Sequence, residues 1–140
     1  MREAVLEVLL ITSRETGRWI IPKGWPHKGL SPSAVALREA YEEAGLRGKI
    51  KRRPLGTYSY QKRLPRDKAV LCKVEVFALE VKRQLDHWPE QKDRIRCWLP
   101  LADAAVLVTD SELQELLLTL SGSLGRGVHA PQMNSETPQR

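Results

Sequence analysis

Arg38, Glu39, Glu42 and Glu43 are the residues whose types and spacing could do chemistry in this chain. On a helix each residue turns by about 100°, so with Glu39 at zero, Glu42 falls at about −60° and Glu43 at about +40°. Three carboxylates therefore share one helical face. Arg38 stands four residues before Glu42 and can reach it along the helix. Converging carboxylates repel one another, and their pKa values rise unless something neutralises them. Arg38 offsets one charge at most. A hard divalent cation is the natural further partner: Mg²⁺ takes oxygen ligands, keeps several waters and shares itself with substrate phosphates. Most charged helix faces are merely solvated. Here the glycine-rich approach from Gly24 and the exit glycine Gly45 argue for a built site.

The element that must position these groups is a helix marked at both ends. Ser31 is a good N-cap, because its hydroxyl can accept a free backbone N–H. Pro32 suits the first helical position, where its missing N–H costs nothing. Gly45 can take the left-handed conformation that stops a helix. The spacing predicts a helix from Pro32 to Ala44. Its opposite arc carries Ala34, Leu37, Ala40, Tyr41 and Ala44, so one face can pack on a core while the other gathers charge.

Residues 24–46 resemble the Nudix box of the Nudix hydrolase family, Gly-x5-Glu-x7-Arg-Glu-U-x-Glu-Glu-x-Gly-U, with U a bulky aliphatic residue. Gly24, Arg38, Glu39, Glu42, Glu43, Gly45 and Leu46 fall in register. Two positions depart: Leu30 stands where the box has its first glutamate, and Ala40 is smaller than the usual aliphatic. The resemblance covers about residues 5–120 and implies an α/β fold, an α/β/α sandwich with a mixed β-sheet. It implies that Glu39, Glu42 and Glu43 hold Mg²⁺, or Mn²⁺ as the other candidate, with the Gly24 carbonyl oxygen contributing. Glu43 or Glu39 would act as general base, with Arg38 supporting them. The runs Arg18-Trp19-Ile20-Ile21-Pro22-Lys23-Gly24-Trp25-Pro26, Asp86-His87-Trp88 and Arg94-Ile95-Arg96-Cys97-Trp98-Leu99 are similar to the diphosphoinositol polyphosphate phosphohydrolase branch. That branch cleaves diphosphoinositol polyphosphates and diadenosine polyphosphates. Lys23, beside the box glycine, is the first candidate for a phosphate contact. Arg18, Lys62, Arg63 and Lys68 are further candidates, weighed against ordinary solvated charges. In the family an additional strand usually precedes the segment matching residues 5–12. The expectation is a sheet lacking that edge, or a recorded start downstream of the real one.

Length and composition fit this reading. The 140 residues suit one domain, expected at residues 1–120. A hydrophobic share of 41% and a charged share of 29% place the chain among ordinary globular proteins. No apolar run approaches the roughly 18 residues of a membrane span. The two cysteines, Cys72 and Cys97, lack zinc-site spacing, and a reduced, cytoplasmic location is expected. Residues 47–68 hold nine lysines and arginines against one acid, a surplus of eight that exceeds the net charge of +6 of the whole chain. Such asymmetry points to an anionic partner. A small polyphosphate fits best, because the segment carries few aromatics for stacking bases and no basic amphipathic helix for a membrane. Oligomeric state is left open.

In chain order, residues 5–12 read as a buried strand and 18–21 as a short one ending at Pro22. After the helix come a long strand over 49–61, a basic turn at 64–68 and the clearest strand, 69–81, with Cys72, Val74, Val76 and Ala78 on one face. A polar loop spans 85–93 around Trp88-Pro89, and residues 95–99 form another strand. A short alanine-rich helix follows Pro100. The run Thr109-Asp110-Ser111-Glu112 reads as a capping box before Leu113, Leu116, Leu117 and Leu120 at helical spacing. Residues 121–140 are rich in Gly, Ser, Pro and Gln and read as a disordered tail.

Three functions fit the sequence. One is a metal-dependent pyrophosphohydrolase; another is a catalytically weak relative that binds polyphosphates or nucleotides, which Leu30 favours; the third is an RNA-cap-cleaving relative, which the basic span favours.

Overall fold

The structure, a computed structural model, describes residues 6–124 and 132–138. Strand β1 (Glu7–Thr12) pairs antiparallel with β2 (Trp19–Ile20) on one side and with β6 (Arg96–Pro100) on the other. Helix α1 runs over Pro32–Ala44, as its end signals predict. The Ser31 hydroxyl accepts from the Ala34 N–H, and Gly45 sits at φ 68° at the C-cap. The expected strand over 49–61 is two shorter ones, β3 (Leu46–Ile50) and β4 (Gly56–Leu64), parted by a turn that contains Arg52, Arg53 and Pro54. Both pair antiparallel with β5 (Lys68–Gln84), β3 against its end and β4 against its beginning.

Helices α2 (Leu101–Leu107) and α3 (Ser111–Leu124) pack on each other. The expected capping box takes a different form. Glu112 accepts from the Ser59 N–H at 3.0 Å and so ties α3 to β4. The tail expected to be disordered from residue 121 differs too. Helix α3 continues to Leu124, and β7 (Gln132–Pro138) pairs with β5 from Cys72↔Pro138 to Ala78↔Gln132. β5 offers a second edge opposite β4, and a strand laid there satisfies its backbone N–H and C=O groups, however polar the strand. Residues 125–131 and 139–140 of that tail lie outside the described residues.

β1 sits between the helical layers. Its Val8 and Leu10 join Tyr58, Val74 and Val76 beneath α2 and α3, while Leu9 and Ile11 join Ala40, Ala44, Leu46 and Leu79 around α1. A strand buried on both faces must be a continuous apolar run, and Val8–Ile11 is one. The α/β organisation with helices on two faces is the expected one. The pairings between the described strands are antiparallel. Among those residues no helix is long and apolar enough to cross a membrane.

Candidate active site

Burying Ala36, Ala40 and Ala44 turns the Glu39 and Glu43 side of α1 toward the loop that follows β2. There it lines a cleft of about 490 Å³. One wall is the loop itself, with Lys23, Gly24, Trp25, Pro26, His27 and Leu30; Lys62 reaches in from β4, and Arg14 and Ile20 close the side near β1. A side chain at Gly24 would displace Glu39: a Cβ there would lie 2.6 Å from its Cγ and Cδ. The loop backbone and the Glu39 carboxylate are thus pressed together.

The Glu39 and Glu43 carboxyls stand close enough that each perturbs the other's titration. Burial raises the pKa of Glu39, and the charges of Glu42 and Glu90 add to the rise. Glu43 is almost wholly buried, which pushes its pKa well above 4.5. Arg94 opposes that rise, and the neighbouring Glu39 reinforces it. Two carboxyls that face each other in this way can share a proton or, in its place, a divalent cation.

Glu42, the expected third member, is turned aside: its Oε1 takes the Arg38 Nε at 3.1 Å on the half-exposed side of the helix. Among the described residues no three carboxylate, histidine or cysteine groups stand together as a metal cage. The donors that do converge are Glu39 and Glu43, beside the Gly24 backbone. An oxygen-only set of this kind, open to a cleft, suits a hard cation that keeps waters and bridges to phosphate.

The structure separates the candidate cations. Lys23 and Lys62 both line the cleft, each seated on an aromatic ring of the facing element: Lys23 Nζ lies 4.8 Å from the Tyr60 ring centroid, and Lys62 Nζ 4.4 Å from that of Trp25. Arg18 turns away, 3.7 Å from Asp110 at the start of α3. Arg63 is exposed one residue along β4 from Lys62, and strand alternation points it off the cleft. Lys68 is exposed where β5 begins. Neither Arg63 nor Lys68 is among the lining residues.

Two side chains that line the cleft, Glu90 and Arg94, are not among the sequence-predicted site residues. The loop between β5 and β6 includes a short 3-10 turn (Gln91–Asp93) and folds over the end of α1. The carbonyls that a helix leaves unpaired there are taken by this loop and the start of β6. The Glu90 N–H donates to Glu42, the Trp88 Nε1–H to Glu43 and the Arg96 guanidinium to Ala44, at 3.0, 3.0 and 2.8 Å. The fold-over carries Arg94 beneath the cleft, where it is 8% exposed. Its guanidinium lies 2.8 Å from Glu90, 3.4 Å from Glu43 and 3.0 Å from the Thr12 carbonyl oxygen. The one available signal was the four-residue spacing of Glu90 and Arg94.

Comparison with known proteins agrees with this geometry. The NUDIX domain profile matches residues 2–120. Nudix hydrolase 13, mitochondrial, of Arabidopsis thaliana is 37% identical over 120 residues, covering 82% of this chain and 59% of the relative. Nudix hydrolase 12, mitochondrial, of the same plant is 35% identical over 115 residues, covering 80% and 57%. Diphosphoinositol polyphosphate phosphohydrolase 2 of Mus musculus is 37% identical over 101 residues, covering 70% and 52%. The chain spans somewhat more than half the length of these relatives. A box in register, a helix that presents its glutamates to a cleft and a profile match over most of the length converge: this chain belongs to the Nudix family.

Proposed function

We propose that this protein is a Mg²⁺-dependent pyrophosphohydrolase, with Mn²⁺ as an alternative cation, that cleaves phosphoanhydride bonds in densely phosphorylated small molecules. Diphosphoinositol polyphosphates and diadenosine polyphosphates are the first substrates to try. The observation that carries the reading is that Glu39 and Glu43 line one cleft together with Lys23 and Lys62. Nudix hydrolases generally use a divalent metal, and in this chain Glu39, Glu43 and the Gly24 carbonyl would hold it; Glu42 joins only if it releases Arg38. When bound there, the cation would supply charge neutralisation for phosphates and Lewis acidity toward water.

The chain's own groups do the rest. Lys23 and Lys62 hold the non-bridging oxygens and stabilise charge as the anhydride opens. Glu43 or Glu39 takes the proton from water, and a carboxylate whose pKa burial has raised is a better base near neutrality than an ordinary one. Ile20, Leu30 and Val35 give the cleft an apolar side that limits water. A reducing, cytoplasmic setting suits the thiols of Cys72 and Cys97, which are not in a disulfide.

Release of cleavage products, phosphate or nucleotides as the substrate dictates, from a panel tests the reading. The panel holds a diphosphoinositol polyphosphate, two diadenosine polyphosphates, a nucleoside triphosphate and a capped RNA, each with Mg²⁺, with Mn²⁺ and with chelator. Cation-dependent release from the first three is expected. Tight binding without release would instead support a polyphosphate-binding module, and preference for capped RNA a cap-cleaving enzyme.

A further inference from the structure

The loop between β5 and β6 does more than close the end of α1. Arg94 is nearly buried and serves three elements at once. Its Nε and one terminal nitrogen grip Glu90 in its own loop, at 3.0 and 2.8 Å. The same terminal nitrogen lies 3.4 Å from Glu43 on α1. The other donates to the carbonyl of Thr12 at the end of β1, 3.0 Å away. Thr12 is fixed in turn, because its hydroxyl accepts from the Ile95 N–H at 2.9 Å and its own N–H donates to the Ile95 carbonyl at 3.1 Å. Glu90 is anchored by its N–H on Glu42.

We propose that Arg94 is a positioning residue that holds the Glu43 carboxylate in its working orientation, with Glu90 and the Thr12 carbonyl fixing the guanidinium. The inference rests on the reading of the cleft as a hydrolase site. Its physical basis is geometric. A planar guanidinium with five donors in a fixed fork can be locked by two partners and still direct a further N–H at a set angle, whereas the three N–H groups of a lysine sit on a single rotating nitrogen. Glu43 is packed in a nearly closed space and meets Glu39 as its near neighbour. Without Arg94 nothing holds the Glu43 carboxylate against the repulsion of Glu39, and it is free to turn from its orientation at the cleft. Arg38 cannot substitute, since its Nε lies against Glu42. Supporting groups of this kind, placed behind metal-binding side chains, are commonly worth about 10–100-fold in affinity or rate.

The test uses the full chain with Arg94→Met and Arg94→Lys. Three readouts are taken: kcat and KM on the best substrate of the panel, Mn²⁺ affinity of the substrate-free protein by electron paramagnetic resonance, and melting temperature. Positioning predicts that Arg94→Met lowers kcat about 100-fold, leaves KM within about threefold and weakens Mn²⁺ about tenfold. Arg94→Lys, which keeps the charge but loses the fork, is expected to fall between. If Arg94→Met does not fold, Arg94→Lys carries the same readings. A raised KM with kcat kept would make Arg94 a substrate contact and overturn the proposal. A lowered melting temperature with unchanged kcat and Mn²⁺ affinity would make it structural only and overturn the proposal equally. Should the wild type turn over no substrate, the hydrolase reading fails, while the Mn²⁺ affinities still decide whether Arg94 orients Glu43.

Discussion

Glu43 lies between two opposing influences, burial and Glu39 on one side and Arg94 on the other, and burial is the larger. The folded protein therefore keeps this proton to higher pH than the unfolded chain does. Below about 4.5 both states are protonated and the group is neutral toward stability. As pH rises from there through the raised folded value, the unfolded chain ionises first and stability is lost. The metal-free wild type is thus expected to lose melting temperature with rising pH relative to Glu43→Gln, and saturating Mn²⁺ should close the gap. Parallel curves for the two proteins in chelator would show that Glu43 titrates normally. Neighbouring residues on β4 give a second test. Lys62→Ala should raise KM about tenfold, the loss expected for one charge-assisted contact, and Arg63→Ala should change it less than about twofold. Equal effects of the two would mean that charge acts at a distance and not by contact. The two box glutamates and Gly24 were legible in the sequence because helical period and a fixed spacing place them. Arg18 was not, because Asp110, distant in sequence, competes for its guanidinium. Arg94 was not, because a non-periodic loop sets where it goes.

Helix α1 was read to the residue because each of its ends has a local cause, Ser31 and Pro32 at one and Gly45 at the other. Gly45 also makes room for its clasp, since a Cβ there would lie 2.8 Å from the Trp88 ring and 2.9 Å from the Arg96 guanidinium. That crowding is tertiary, and nothing in the local sequence announces it. Arg96 stacks on Trp88 at 4.0 Å, so the Trp and Arg positions singled out in the sequence are the parts of a brace for the helix. Strand pairing was the least legible feature. A polar segment such as Gln132–Pro138 has no alternation to betray it, and it is placed by the edge that β5 leaves open. Truncation after Leu124 measures that contribution. Seven paired positions along β5 predict a melting temperature lowered by at least about 4 °C, the scale of a loss of roughly 1 kcal/mol in a small domain. An unchanged value would mean that β5 is as stable without β7.

At the scale of the whole molecule, charge is unevenly shared. The surplus of eight positive charges in residues 47–68 lies on β3, β4, the turns that follow each of them and the start of β5, and Lys62 carries one of those charges into the cleft. Exposed cations act on a ligand across about 8–10 Å at physiological ionic strength. Catalytic efficiency is therefore expected to rise with the number of substrate phosphates and to fall steeply with salt, most for the most highly charged substrate. Equal salt dependence for diadenosine hexaphosphate and a nucleoside triphosphate would make the basic span a solvated surface. Every role proposed for these residues depends on hydrolysis at the Glu39–Glu43 pair. Its most direct test is the release of cleavage products, nucleotides from diadenosine hexaphosphate and phosphate from a diphosphoinositol polyphosphate, by wild type and Glu43→Gln, with Mg²⁺ titrated from chelator to saturation. The expected result is turnover that needs the cation and a loss of at least about 100-fold in Glu43→Gln with the fold intact. Turnover of the variant close to wild type, or release indifferent to the cation, would show that the chemistry does not run through this pair.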